Sequence, residues 1–247
     1  MWYGFERIDF EFEGKAATVV FPKKKEVGGN WLLKTEYWEA FPDAEIDLLN
    51  RGFHLAYIQN ISRFATKEDC DRKHRFVQYV SEKFSVRNKC VPVGYSLGGA
   101  HAVNFAGFYP DDVCCIYLDA PVLNFCDYPG RMPSEECEGV WENEFVYAYP
   151  GITRAKLLNF SNHPLNKINV LKKHKIPIIM LYGTEDRSVN YSLNGRLLEM
   201  EYEDCPTLLK VIPRELQGHH PHGCIYDRAP LIDFILKSVN NDFKDVM

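Results

Sequence analysis

The chain has no long apolar run, no surplus of positive charge and no paired-cysteine motif. Each absence removes a class of function. No stretch approaches the roughly 18 uncharged apolar residues that a membrane helix requires, so no membrane partner is expected. Lys and Arg number 29 against 34 Asp and Glu, a formal net charge of −5, which argues against nucleic acid as the main partner. The one dense basic run, Lys23-Lys24-Lys25, is short and reads as a solvated turn. The eight cysteines, at 70, 90, 114, 115, 126, 137, 205 and 224, form no Cys-x-x-Cys pair, which excludes a zinc ribbon. Scattered through 247 residues, several of them in apolar runs, they read as buried thiols in a reducing compartment. Met1 to Arg7 lacks the basic start and apolar run of a secretory signal, and a cytoplasmic location is the expectation. No internal repeat or low-complexity tract is visible.

What is present has an alternating rhythm. Ile8 to Phe12 alternates apolar and charged residues, as a half-exposed edge strand does, and Ala16 to Phe21 reads as a second strand. Glu36 to Asn50 has helical spacing and stops at Arg51-Gly52, with Pro42 at a break or first turn. Further strands are expected at Phe53–Gln59, Cys90–Tyr95, Val113–Leu118, Ile176–Tyr182 and Leu208–Ile212. Helices are expected at Lys67–Phe84, Leu97–Tyr109, about 192–204 and 228–240. Strand and helix thus alternate from residue 53 onward, which predicts an α/β fold: a mostly parallel central sheet with helices on both faces. The length suits one domain over 1–247. Residues 121–166 interrupt the rhythm with Pro, Gly, Asn and aromatics, and read as a cap inserted in that domain.

The motif with most chemistry is Gly94-Tyr95-Ser96-Leu97-Gly98-Gly99, placed between a strand-like and a helix-like run. A sharp strand–turn–helix there lifts a serine hydroxyl off the end of a sheet, and only small flanking residues let the backbone pass. A lone serine is a poor nucleophile and needs a base, and the base needs an orienting acid. The strand Ile176–Tyr182 ends in Gly183-Thr184-Glu185-Asp186, which nominates Asp186 as the acid, with Glu185 the alternative. After the last strand comes Gly218-His219-His220-Pro221-His222-Gly223. His219 is preferred as the base, with His220 and His222 in competition. The same imidazoles, with Cys224 nearby, have the composition of a transition-metal site, but no His-x-x-x-His spacing supports one, and no metal is assigned.

Negative charge developing on a substrate carbonyl oxygen needs donors. The Leu97 N–H, at the first turn of the helix, is one candidate. The second is placed in the loop Val27-Gly28-Gly29-Asn30-Trp31-Leu32, with Trp31 or Leu32 donating, although Gly28-Gly29 reads equally as a plain flexible turn. Tyr95, Tyr128 and Trp141 are candidate substrate contacts, and Phe145, Tyr147 and Tyr149 add aromatic surface to the cap.

With these residues the chain resembles the α/β-hydrolase superfamily from about residue 8 to 240. The likeness is carried by the Gly94–Gly99 motif, Leu118-Asp119-Ala120-Pro121, Leu181–Asp186 and Gly218–Gly223. Within that superfamily it is similar to a bacterial branch of prolyl-oligopeptidase and acetyl-esterase type, through Asn30-Trp31-Leu32-Leu33-Lys34 and His219-His220-Pro221-His222. The resemblance implies a serine hydrolase with Ser96, Asp186 and His219 as its triad and no cofactor. Two departures stand out: Gly-Thr-Glu-Asp replaces the common Gly-Asp-x-Asp form, and Asn190 replaces a proline. The expected substrate is a small carboxylic ester with a short acyl group, with an acylated carbohydrate as one form. A small serine peptidase and an inactive binding protein on the same scaffold are the alternatives. A peptidase of that branch carries an additional propeller domain, for which 247 residues leave no room. The oligomeric state is left open.

Overall fold

A four-residue strand in the middle of the sheet sets where everything else lies. The protein is described from a computed structural model, which covers residues 1–24 and 29–240. Among the described residues its sheet has eight strands: β1 (Glu6–Phe12), β2 (Lys15–Phe21), β3 (Trp31–Lys34), β4 (His54–Ile58), β5 (Val91–Tyr95), β6 (Ile116–Asp119), β7 (Ile178–Gly183) and β8 (Leu209–Arg214). Their order is β1-β2-β4-β3-β5-β6-β7-β8. β1 and β2 pair antiparallel, as does β2 with β4. From β4 through β3 to β8 every pairing is parallel. This is the mostly parallel sheet expected from the alternation, with a hairpin added at one edge.

Strand β3 departs from the expectation, which placed Trp31 and Leu32 in a loop. All four of its residues are buried, including Lys34. Lys34 Nζ donates to Glu45 Oε1 at 2.5 Å and lies 3.5 Å from the centre of the Tyr95 ring. A buried carboxylate partner is what lets a lysine close a fully buried strand. The expected helix over Glu36–Asn50 is also shorter. It forms as α1 (Asp43–Leu49), with Pro42 at its N-cap. The chain over 36–42 is irregular, and Tyr37 and Phe41 have φ of 54° and 50°. Of the glycine pair considered for this region, Gly28 lies outside the described residues, as does Val27.

Helix α2 (Lys67–Phe84) matches its expected bounds. Thr66 caps it by accepting the Asp69 N–H, and Ser85 closes it in the left-handed conformation. Helix α3 (Leu97–Phe108) has ten buried residues, Leu97 through Ala106, which explains its small, apolar composition. α2 and α3 pack on one face of the sheet through Phe76, Val80, Val103 and Phe105. α1 and the helix Ala229–Val239 cover the other through Leu48, Leu49, Leu231 and Ile235. Each fully buried side chain of this size contributes about 1.5–3 kcal/mol relative to exposure. Residues 121–166 build a third cluster, in which Phe125, Cys137, Trp141 and Phe145 pack on Phe64, Leu97 and Ala100. Among the described residues no helix is long and apolar enough to cross a membrane.

Three buried histidines give the fold an acid limit. Burial holds His101 well below the usual imidazole value, and Lys73 beside it adds to this, against the pull of the Ser62 and Arg63 carbonyls. Burial lowers His163 and His222 as well, partly offset by the Leu157 carbonyl and the Asp119 carboxylate respectively. Their folded values lie below the unfolded one of about 6.5, so the unfolded chain binds more protons as pH falls. Stability is therefore full above about pH 6.5 and declines below it, by up to about 1.4 kcal/mol per pH unit for each histidine kept neutral. Urea unfolding at pH 7.5 and 5.5 checks this. Equal unfolding free energies would contradict it.

Candidate active site

Parallel strands deliver their C-terminal ends to one edge, and the side chains singled out in the sequence converge there. Ser96 follows β5 directly, with φ 50° and ψ −122°. That backbone is unfavourable for a residue with a Cβ and persists only where the surroundings enforce it. Here they do. The Ser96 N–H donates to the Asp119 carbonyl at 3.1 Å, and its own carbonyl accepts from Gly99 and Val122, each at 2.9 Å. Gly94 makes the turn possible, because a Cβ there would stand 2.5 Å from the Gly98 carbonyl oxygen.

The Ser96 hydroxyl faces His219, with Nε2 3.0 Å from Oγ. His219 Nδ1 lies 2.7 Å from Asp186 Oδ2. The other Asp186 oxygen, Oδ1, accepts the Ser188 and Val189 N–H groups, each at 2.9 Å. Burial pushes the Asp186 carboxyl up, but the His219 contact and these two amides outweigh it, and the group is held below the usual carboxylate value. Asp186 therefore stays ionised at neutral pH and orients the imidazole with Nδ1 protonated and Nε2 free to accept. The alternative acid, Glu185, is exposed. The alternative bases line the same cavity but have other partners: His220 is exposed and stacks on Phe41, and His222 is buried and stacks on Tyr95.

The histidine loop is pinned from beneath by a pair that sequence reasoning did not single out. Arg214, at the end of β8, and Asp119, at the end of β6, are both fully buried and 3.1 Å apart. Arg214 donates to the Pro221 carbonyl at 2.7 Å and the His219 carbonyl at 3.1 Å. Asp119 Oδ2 accepts the Gly223 N–H at 2.5 Å. Gly183 completes the fit, since a Cβ there would meet the Gln217 carbonyl oxygen at 2.5 Å. Asp119 was noted in the sequence as part of Leu118–Pro121, but its partner lies 95 positions away, on another strand.

Beside Ser96 is a cavity of ≈ 290 Å³ lined by Tyr37, Phe41, Arg63, Tyr128, Glu136 and Val189, among others. Of the three expected substrate contacts, only Tyr128 lines it. Tyr95 is buried in β5 and its hydroxyl donates to Glu45 Oε2 at 3.0 Å. Trp141 packs against Phe145 and under the Arg154 guanidinium, inside the cluster built by 121–166. Phe145 is fully buried there, whereas Tyr147 is 76% exposed. Burial also pushes the Tyr128 phenol up to about 12, with Glu136 contributing, so it stays neutral.

The oxyanion donors need one correction. Leu97 N–H belongs to the first turn of α3, where amides have no intrahelical acceptor, and it adjoins Ser96. Trp31 cannot be the second donor. It begins β3, paired with His54, at the opposite edge of the sheet, and its indole donates to the Arg87 carbonyl at 2.8 Å. Leu32 lies inside the same strand. Once the strand is recognised, the loop that reaches Ser96 is the one after β3, over Thr35–Tyr37. Thr35 is tied to the Val93 and Gly98 carbonyls. Tyr37 lines the cavity together with Ser96, and its phenol lies 3.5 Å from Arg63 Nη1. Arg63 is held in turn by both oxygens of Glu144, at 2.7 and 2.5 Å.

No family model matches the sequence, and no curated protein does. Solved structures do match its fold. Est1E from Butyrivibrio proteoclasticus superposes with a TM-score of 0.67 at 13% identity, over 95% of this chain and 99% of that one. Acylaminoacyl peptidase from Pyrococcus horikoshii gives 0.64 at 14% identity, over 87% of this chain and 37% of that one. Porphyromonas gingivalis dipeptidyl peptidase 4 gives 0.65 at 12% identity, over 96% of this chain and 35% of that one. The chain thus spans about a third of the length of the peptidases it matches and nearly all of Est1E. Identities this low speak for the fold alone, and the fold is that of the α/β hydrolases.

Proposed function

We propose that the protein is a serine hydrolase that cleaves carboxylic esters with short acyl groups. The observation that carries this is the hydrogen-bonded chain Asp186–His219–Ser96 beside a cavity of ≈ 290 Å³. That volume sits at the small end of ligand pockets, about 300–1,000 Å³, and suits an acyl group of a few carbons. The aromatic lining fits a sugar or aryl alcohol, which keeps acylated carbohydrates among the candidate substrates.

In this mechanism Ser96 Oγ attacks the ester carbonyl carbon while His219 Nε2 takes the hydroxyl proton. The imidazolium is stabilised by Asp186, which remains a carboxylate throughout. The carbonyl π electrons move onto oxygen, where the Leu97 N–H and the Tyr37 phenol donate. Collapse breaks the bond to the alkoxy group, and His219 returns the proton to it as the alcohol leaves. Water then enters, gives a proton to His219 and its oxygen to the acyl carbon. Collapse of the second intermediate releases the acid and restores Ser96. No cofactor is needed for any step.

Two tests follow from this reading. A 4-nitrophenyl ester series from acetate to octanoate is expected to show turnover falling with chain length from acetate or butyrate. Turnover that rises toward octanoate would refute the short-acyl assignment. Tyr37→Phe is expected to lower kcat by about 10²–10³ with little change in KM, as loss of one oxyanion donor does. An unchanged kcat would remove Tyr37 from the mechanism. A peptide substrate is the second reading, favoured by the peptidases among the structural neighbours. Cleavage of an acylated peptide without ester turnover would select it.

A further inference from the structure

The three histidines of the loop after β8 stand closer to one another, and in a more specific arrangement, than a single base requires. Their ring centres are 4.7, 4.9 and 4.9 Å apart, and the rings are inclined to one another by 69°, 81° and 84°. Each offers a ring nitrogen, and these nitrogens all lie within 4.8 Å of one another. Three ring nitrogens gathered this closely can converge on one ion.

The surroundings carry the argument further. A metal-binding histidine usually donates its second ring nitrogen to a carboxylate, which fixes the tautomer and aims the first at the ion. His219 meets this condition: its Nδ1 is held by Asp186 at 2.7 Å, and Nε2 is left as the ligating atom. His222 Nδ1 faces Asp119 Oδ1 at 3.5 Å without a hydrogen bond between them, so that carboxylate is an outer charge beside the ring. His222 is also clamped face-on against Tyr95, at 5.1 Å between ring centres, so it is held in place before any ion arrives. His220 is exposed and stacks on Phe41, which makes it the most accessible of the three ligands. Tetrahedral Zn–N bonds of about 2.0–2.1 Å put donor atoms about 3.4 Å apart, so the site closes by roughly 1.4 Å at most on loading.

We propose that His219, His220 and His222 form a binding site for a borderline transition-metal ion such as Zn²⁺, and that the bound ion switches the active site off. Coordination uses the lone pair on His219 Nε2 that otherwise receives the Ser96 proton. The ion occupies the mouth of the cavity next to Ser96, and Asp186 and Asp119 become its outer carboxylates. Switching off rests on the hydrolase reading above. Binding of the ion does not.

Calorimetric titration with ZnCl₂ tests the site on chelator-treated wild type, Ser96→Ala and His220→Ala. Wild type and Ser96→Ala are expected to bind one ion per chain with the same affinity, since the serine is not a ligand. His220→Ala is expected to bind at least about tenfold more weakly. If that variant does not fold, His220→Gln takes its place. Zn²⁺ is also expected to block labelling of wild-type Ser96 by a fluorophosphonate, and excess chelator to restore it. Absence of saturable binding to wild type overturns the proposal, as does equal affinity in the His220 variant, which would place the ion on other side chains. Binding as expected in a protein that turns over no ester would uphold the metal site and overturn the ester reading instead.

Discussion

Replacing Ser96 with alanine is expected to lower ester turnover by about 10⁴- to 10⁶-fold while leaving the thermal midpoint almost unchanged. The size of the effect follows from the geometry. Ser96 Oγ is the one nucleophile 3.0 Å from His219 Nε2, and an alanine leaves the base with nothing to activate except water. The preserved stability follows from what the side chain does not do. The turn is held by the Ser96 backbone through Asp119, Gly99 and Val122, not by the hydroxyl. Relief of the backbone strain is not expected, because alanine meets the same steric conflict at φ 50°. Turnover and melting temperature measured together on the purified variant check both halves. Residual turnover within tenfold of wild type would mean that a different residue carries the chemistry.

The second large effect concerns stability, at a residue that touches no substrate. Arg214→Ala is expected to destabilise the protein by about 3–5 kcal/mol, because it strands the fully buried Asp119 carboxylate. At about 2–4 °C per kcal/mol for a chain of this size, the melting temperature falls by roughly 6–20 °C. Asp119 then keeps the Gly223 N–H and the His222 imidazole, while the His219 and Pro221 carbonyls lose their donor. Arg214 is thus a positioning residue for His219, and stability alone does not establish that. The double replacement Asp119→Leu with Arg214→Met separates the two roles. An apolar pair of similar volume is expected to recover much of the stability. Turnover stays low, since nothing holds the loop at His219 and Gly223. Recovery of turnover together with stability would assign the pair a purely structural part.

The pattern of success and failure in the sequence has physical causes. Ser96, Asp186 and His219 were legible because each lies at or within a few residues of a strand's C-terminal end, and a parallel sheet brings all such positions to one edge. Continuous apolar runs made β6 and β7 visible for the same reason, since both faces of a parallel strand are buried. Strand β3 was missed because it is four residues long and ends in a lysine whose carboxylate partner, Glu45, comes eleven residues later. That one error placed the expected second oxyanion donor on Trp31, whereas the loop that follows β3 is the one that reaches Ser96. A signal was present: Trp31-Leu32-Leu33 is an apolar run between Asn30 and Lys34, just after a glycine pair.

The substrate wall failed for another reason. Aromatic density in 121–166 looked like pocket lining, but most of those rings pack on each other and on Phe64. A segment inserted between two strands needs a core of its own before it can offer a surface, and Phe125, Trp141 and Phe145 supply it. Composition cannot separate rings that face inward from the one, Tyr128, that faces the cavity. Long-range ion pairs such as Arg214–Asp119 and Arg63–Glu144 are equally silent in sequence, because no local spacing announces them.

The central claim is that the Ser96 hydroxyl is activated in the folded protein. Intact-mass analysis after treatment with a fluorophosphonate, followed by peptide mapping, tests it most directly. The account predicts one adduct per chain, located on Ser96 and sharply reduced in His219→Ala. His222→Ala should still form the adduct, because His222 does not contact Ser96. No adduct on folded wild type, or an adduct on another residue, would contradict it.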